Sequence, residues 1–239
     1  MGRKTGKQIF ETVLLPLINN KVKVKTIILN SDPEFNFEVC DAKWMKAGQA
    51  FEDKDGFFWG VGAVDYENNI VYASRPSALA VLEYGDIIEI QMPTFRSGTP
   101  KSVEGEELAK IQADQITITP IIWLLESVPS ERRPYGEPQD EIFDFTFFCL
   151  ERYSFSDHFN DQRHIEGIYP MKQLGSSLID GIDSVDSVGI ERTSSVQQLE
   201  LSRFGSESDK GFERYILSID LSGMRYKVKV KIEEQLCCC

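Results

Sequence analysis

Between His164 and Ile182 the chain reads HIEGIYPMKQLGSSLIDGI. Ile165, Ile168, Met171, Leu174, Leu178, Ile179 and Ile182 recur there at steps of three and four. That spacing puts all seven on one face of a helix. An apolar helix face must be covered, and the segments on both sides alternate at period two, as strands do. The stretch therefore predicts a helix packed on a sheet, with Asp161 as a plausible N-terminal cap.

The flanking strands are legible in the same way. Glu141–Glu151 places Phe143, Phe145 and Phe147 on one face, continued by Cys149. Gln115–Glu126, QITITPIIWLLE, alternates at Ile116 and Ile118 and then becomes uniformly apolar, which predicts burial on both faces at its end, with Pro120 marking an edge or a bulge. After the helix come a Ser/Asp-rich spacer at Asp183–Ser195, a strand at Val196–Phe204, a loop at Gly205–Gly211 and a strand at Tyr215–Leu221. Ser222-Gly223 reads as a turn into a last strand, Arg225–Ile232. There Tyr226, Val228, Val230 and Ile232 alternate with Arg225, Lys227, Lys229 and Lys231, so one face is buried and the other carries four cations. Two readings fit that row: a solvated face guarded by lysine against edge pairing, or a docking face for an acidic partner or a nucleic-acid backbone.

Ahead of these lies a first helix at 5–19, with capping-box spacing at Thr5 and Gln8 and a kink expected at Pro16. A strand-rich block follows. Val22, Val24 and Ile27 alternate with Lys21, Lys23 and Lys25, and a second strand covers Phe35–Val39. The turn signals Asp55-Gly56 and Asn68-Asn69 predict pairing of Phe57–Val64 with Asn69–Ala73, and Ile87–Met92 closes the block. Gly60 and Gly62 in such a strand mark a bulge or close packing. Thr94–Gln112, rich in Gly, Pro, Ser and charge, reads as a loop with one helical turn at Glu106–Ile111. The expected organisation is an α+β core domain at 1–21 and 113–239, an inserted β-rich domain at 22–93 and a linker at 94–112. The core has a mostly antiparallel sheet with two main helices on one face, and the insert is a small β-barrel or sandwich.

The chemistry of the residues points away from catalysis. GxSxG, P-loop, GxGxxG-before-helix and HExxH patterns are all missing from the sequence. His158 and His164, the two histidines, are six apart, whereas a helical metal pair favours four. Glu52, Asp53 and Asp55 resemble a calcium loop, but no glutamate occupies the twelfth position of a loop starting at Asp53, so turn residues explain them better. Trp44, Phe57, Phe58 and Trp59 suggest either barrel core or a stacking platform for a carbohydrate or other ligand. No cofactor is expected.

The five cysteines, Cys40, Cys149 and Cys237 to Cys239, make no disulfide framework and fit a reducing compartment. The net charge of −12 repels phosphate and argues against sequence-specific nucleic-acid binding. No apolar run approaches the roughly 18 residues of a membrane span. Glu11 and the broken apolar run argue against a signal peptide, and MGRKTG fits a myristoylation pattern only loosely. The Pro-rich Ser127–Asp140, SVPSERRPYGEPQD, reads as a long exposed loop of the partner-ordered kind.

The order of segments carries a family resemblance. PIIWLLE (Pro120–Glu126), FTFFCLE (Phe145–Glu151), a polar connection, IYPMKQLGSSLIDGI (Ile168–Ile182) and closing strands resemble a pattern in virion proteins of tailed bacteriophages. It is similar to the tail-terminator or neck-ring type of head–tail connector, as in the stacked rings of crAss-like phages. It covers the first helix and everything from Gln115. AGQAFEDKDGFFWGVGAVDYENNIVYA (Ala47–Ala73) is similar to β-modules of phage structural proteins. The resemblance implies a non-enzymatic structural protein of the virion, assembled in the host cytoplasm. It implies a homo-oligomeric ring, typically six- or twelvefold, contacting portal, neck or tail proteins. Double-stranded DNA would pass through the channel without sequence-specific binding, and no membrane would be involved. Interaction candidates are Arg132, Arg133 and Tyr135 in the long loop, and Arg225, Lys227, Lys229 and Lys231 on the last strand.

Overall fold

The computed structural model describes residues 5–30, 34–77, 79–98, 120–125, 128–132, 141–152, 164–185, 189–201, 206–209, 212–215 and 221–233. Helix α1 (Gly6–Ile9) opens on the expected capping box: the Thr5 hydroxyl accepts from the Gln8 backbone N–H and the Gln8 side chain accepts from the Thr5 N–H. It continues as a π turn (Phe10–Leu14) and a 3-10 turn (Leu15–Leu17). The last turn holds Pro16, which has no N–H to donate to a regular helix.

Six strands then form a closed antiparallel barrel: β1 (Lys21–Asn30), β2 (Glu34–Val39), β3 (Ala50–Glu52), β4 (Phe58–Asp65), β5 (Ile70–Ser74) and β6 (Ile87–Ile90), in the order β1-β2-β5-β4-β3-β6. Closure leaves no free edge. The expected pairing of β4 with β5 is present, and the register shifts between Val61 and Ala63, so Gly62 sits at the bulge. Inward residues alternate along each strand, and Phe35, Phe37, Phe51 and Trp59 stack and cross edges in the interior.

Strand β7 (Thr94–Gly98) corrects the reading of the linker. It pairs in parallel with β8 (Ile121–Leu125), the Thr94 N–H donates to the Pro120 carbonyl, and Phe95 stacks on Phe10. One half-buried aromatic stacked on the core and a partner strand outweigh the loop-like composition. The helical turn expected at Glu106–Ile111 and the strand start at 115–119 lie outside the described residues. In β8, Ile122 and Leu124 face the main core while Ile121 and Trp123 face a second cluster, so burial on both faces is as expected.

The main sheet runs β11-β15-β10-β8-β7, with β9 beside β10 and β12 beside β15. Strand β9 (Ser130–Arg132) lies in the segment expected to be all loop. Strand β10 (Glu141–Arg152) pairs along its whole length with β15 (Leu221–Ile232). Helix α2 (Tyr169–Ser184), preceded by a π turn at His164–Ile168, buries Ile168, Met171, Leu174, Leu178, Ile179 and Ile182. Ile165 does not join that face: it is exposed. Asp161 and His158 lie outside the described residues.

Three further readings are corrected. The spacer contains β11 (Ile190–Arg192), which caps one end of β15. Strand β12 (Gln197–Leu201) follows, and the expected loop at Gly205–Gly211 is instead half of a hairpin, β13 (Ser206–Asp209) with β14 (Phe212–Tyr215). Ser222-Gly223 is strand, not turn: Gly223 pairs with Leu150 at φ 152°, and a Cβ there would lie 2.0 Å from the Cys149 carbonyl oxygen. Only glycine lets the two backbones approach so closely.

Both helical segments cover the same face of the sheet. Phe10 meets Phe145 and Phe147, and Tyr226 stacks on Phe147 while its hydroxyl donates to the Lys172 carbonyl. Helix α2 can sit this close because residue 175 is glycine, where a Cβ would fall 2.1 Å from the Tyr226 ring. The barrel interior and this helix–sheet layer form one continuous core. A smaller cluster, Ile121, Trp123, Phe148, Leu150 and Leu221, lies on the opposite face.

Candidate interaction surface

The cation row stands where the alternation predicts. Arg225, Lys227, Lys229 and Lys231 point away from the helices, opposite Phe148, Thr146, Asp144 and Ile142 of β10. The strand bearing them is internal, flanked by β10 on one side and by β11 and β12 on the other. The edge-guard reading is therefore corrected, since β15 has no open edge along these residues to guard. Lys227 reaches Asp144 at 3.4 Å, and Lys231 pairs with Glu191. Arg225 and Lys227 are exposed, and Lys229 and Lys231 half-buried. Next to Arg225, Leu199 of β12 is exposed. Charge and apolar surface thus share one patch.

Arg132 belongs to β9 and pairs by its backbone with Glu141. Arg133 and Tyr135 lie outside the described residues. Arg132 and the strand candidates sit on the same sheet through β10, but at opposite sides of it, with β9 and β15 on its two edges.

The barrel aromatics resolve as core. Trp44 and Trp59 are fully buried, so the expected stacking platform is not formed by them. The Trp59 indole N–H donates to Asp53, whose other oxygen accepts the Asp55 and Phe57 backbone N–H groups. Asp53 is a turn organiser whose two oxygens are both engaged within the barrel. Phe58 alone turns outward, 65% exposed, beside a cleft of about 290 Å³ lined by Glu52, Glu89, Asn20, Gln91 and Met92. In the sequence Glu52 reads only as a turn residue and Glu89 draws no notice, although Phe51-Glu52 and Ile88-Glu89-Ile90 alternate and so point both carboxylates outward.

The barrel is tied to the helix–sheet layer at three points. Lys46 donates to Glu151 at 2.7 Å, a pair almost wholly buried. Tyr66 packs against Tyr169 of α2. Lys43, held at φ 49°, donates from Nζ to the Asn19 and Lys21 carbonyls, and burial pushes its pKa down. Beside Lys43 a second, polar cleft of about 340 Å³ runs along Ser176, Ser177 and Asp180 of α2. Among the described residues no group of three or more His, Cys, Asp or Glu could hold a metal ion, and no helix is long and apolar enough to cross a membrane. No protein-family model matches this chain, and no curated protein matches it.

Proposed function

We propose that this protein is a structural subunit of a tailed-phage virion, one copy of an oligomeric ring at the neck that joins the portal to the tail and surrounds the DNA channel. The observation that supports it best is the outer face of the sheet. Helices cover the inner face, while the outer one, buried at one end around Trp123, Leu150 and Leu221, presents a row of cations with an exposed leucine beside it. Such a face suits a neighbouring subunit or virion protein. The order of strands and helix supports the reading through its likeness to tail-terminator and neck-ring proteins. The net charge of −12 suits a channel wall along which DNA slides without sticking.

The role is mechanical. In a cyclic ring each subunit presents one surface to the neighbour ahead and a different one to the neighbour behind. Light scattering of the protein alone and with portal and tail proteins, together with mass spectrometry of purified particles, tests it. The expected result is a ring-sized species and presence in the particle. A monomer in every mixture, absent from particles, overturns the proposal.

A further inference from the structure

Among the described residues eleven large apolar side chains stand exposed, and nine of them are on the barrel segment; Ile165 and Leu199 are the others. The barrel segment therefore carries most of the large exposed apolar side chains among the described residues, and the cleft edged by Phe58 and Met92 is part of it. Below that rim Glu52 and Glu89 face each other directly across β3 and β6. Like charges in that position destabilise a strand pair. Among the described residues one cation pairs with them: Lys21, 3.3 Å from Glu89. The cleft is thus apolar at its rim and short of positive charge within.

The outer face of β15 has the opposite imbalance. Arg225, Lys227 and Lys229 are spaced two residues apart, roughly 7 Å from one to the next. Asp144, opposite Lys229 and 3.4 Å from Lys227, is the carboxylate set among them, and exposed Leu199 lies directly beside Arg225. Each surface supplies what the other lacks: cations and a leucine against two carboxylates, a phenyl ring and a thioether.

We propose that the barrel cleft of one copy, centred on Glu52, Glu89 and Phe58, receives the Arg225–Lys229 face of a second copy. The proposal rests on the ring reading and names the contact that builds the ring. Because the two surfaces differ, the contact is head-to-tail, so a growing chain keeps one cleft free at one end and one cation face free at the other until the ring closes. Charge complementarity at such a rim speeds encounter and makes association salt-sensitive.

Native mass spectrometry and light scattering of the full chain at low and high salt test it. Glu52→Lys and Arg225→Glu are both at exposed or half-exposed positions and should not lower the melting temperature, Glu52→Lys raising it slightly by replacing the like-charge pair with Glu89 by an opposite-charge one. Each should weaken self-association by about tenfold or more, and Phe58→Ala should act in the same direction without altering charge. An equimolar mixture of Glu52→Lys and Arg225→Glu should regain association, since one chain keeps an intact cation face and the other an intact cleft. Self-association of Glu52→Lys equal to wild type, or a mixture no better than either variant alone, overturns this contact and leaves the ring standing. A wild-type chain that stays monomeric at every salt concentration overturns this contact, and the ring reading falls with it only if the chain is also monomeric with portal and tail proteins and absent from particles.

Discussion

Tyr226 shows how much one side chain commits the fold to a protonation state. Its ring is fully buried against Phe147, its hydroxyl donates to the Lys172 carbonyl, and Gly175 lies over it. Burial, and then the neighbouring Cys149, push the phenol above its ordinary value of 10.0, and burial alone does the same to the Cys149 thiol from 9.0. Both groups hold their protons more tightly folded than unfolded. Their contribution to stability is therefore complete below about pH 9 and is lost as pH rises above the unfolded values. Tyr226→Phe should cost about 1 kcal/mol at neutral pH, through the lost hydrogen bond, and should flatten the alkaline fall above pH 10. Melting curves of both proteins from pH 8 to 11 check this; parallel curves would refute it.

At the scale of elements the joint between barrel and sheet is the informative place. Glu151, on β10, is 2% exposed and receives the Lys46 ammonium from the loop between β2 and β3. Lys46→Met removes the cation while leaving the buried carboxylate, and such a change costs about 3 kcal/mol or more. Replacing both residues by apolar ones of similar size, Lys46→Met with Glu151→Leu, should recover most of that loss. Urea unfolding of the three proteins decides it, and a double variant no better than the single one rules out the charge argument. Lys46 and Glu151 are 105 positions apart, so no local pattern announces the pair. The same limit explains the other misreadings. Alternation made β10, β15 and most of the barrel legible, and with them the outward cation row, because the period of two is local. Gly223 reads as a turn because the reason for a glycine there is the Cys149 carbonyl of another strand. Thr94–Gly98 reads as linker because its strand partner and the Phe10 ring arrive from elsewhere in the chain. The Glu52–Glu89 cleft was invisible for the same reason, since barrel closure is what brings the two carboxylates together. For Trp59 the clue is local: Asp53, which accepts the indole N–H inside the barrel, lies six positions away across the Asp55-Gly56 turn.

For the molecule as a whole, the separation into an inserted barrel and a core domain is a matter of topology more than of energetics. One continuous cluster of buried side chains runs from Phe37, Trp44 and Trp59 in the barrel through Ile9, Phe10 and Leu14 to Phe145, Tyr226 and Leu178 in the helix–sheet layer. The first helical segment sits at the junction, with Phe10 against the sheet and the Asn19 carbonyl beyond it held by Lys43 of the barrel. Pulling the barrel away would expose apolar surface on both parts, at roughly 25 cal/mol per Å², and would strand the buried Lys46–Glu151 pair. Separate unfolding of the barrel is thereby penalised, and the two parts should melt together. Calorimetry of the full chain should show one transition whose van't Hoff enthalpy equals the calorimetric enthalpy. In Lys46→Met, where one tie is cut, the transition should broaden or split, with the barrel amides exchanging first. Two resolved transitions in the wild-type protein would instead mean that the shared core couples the parts too weakly to matter, and that the barrel is an autonomous module attached to the main sheet.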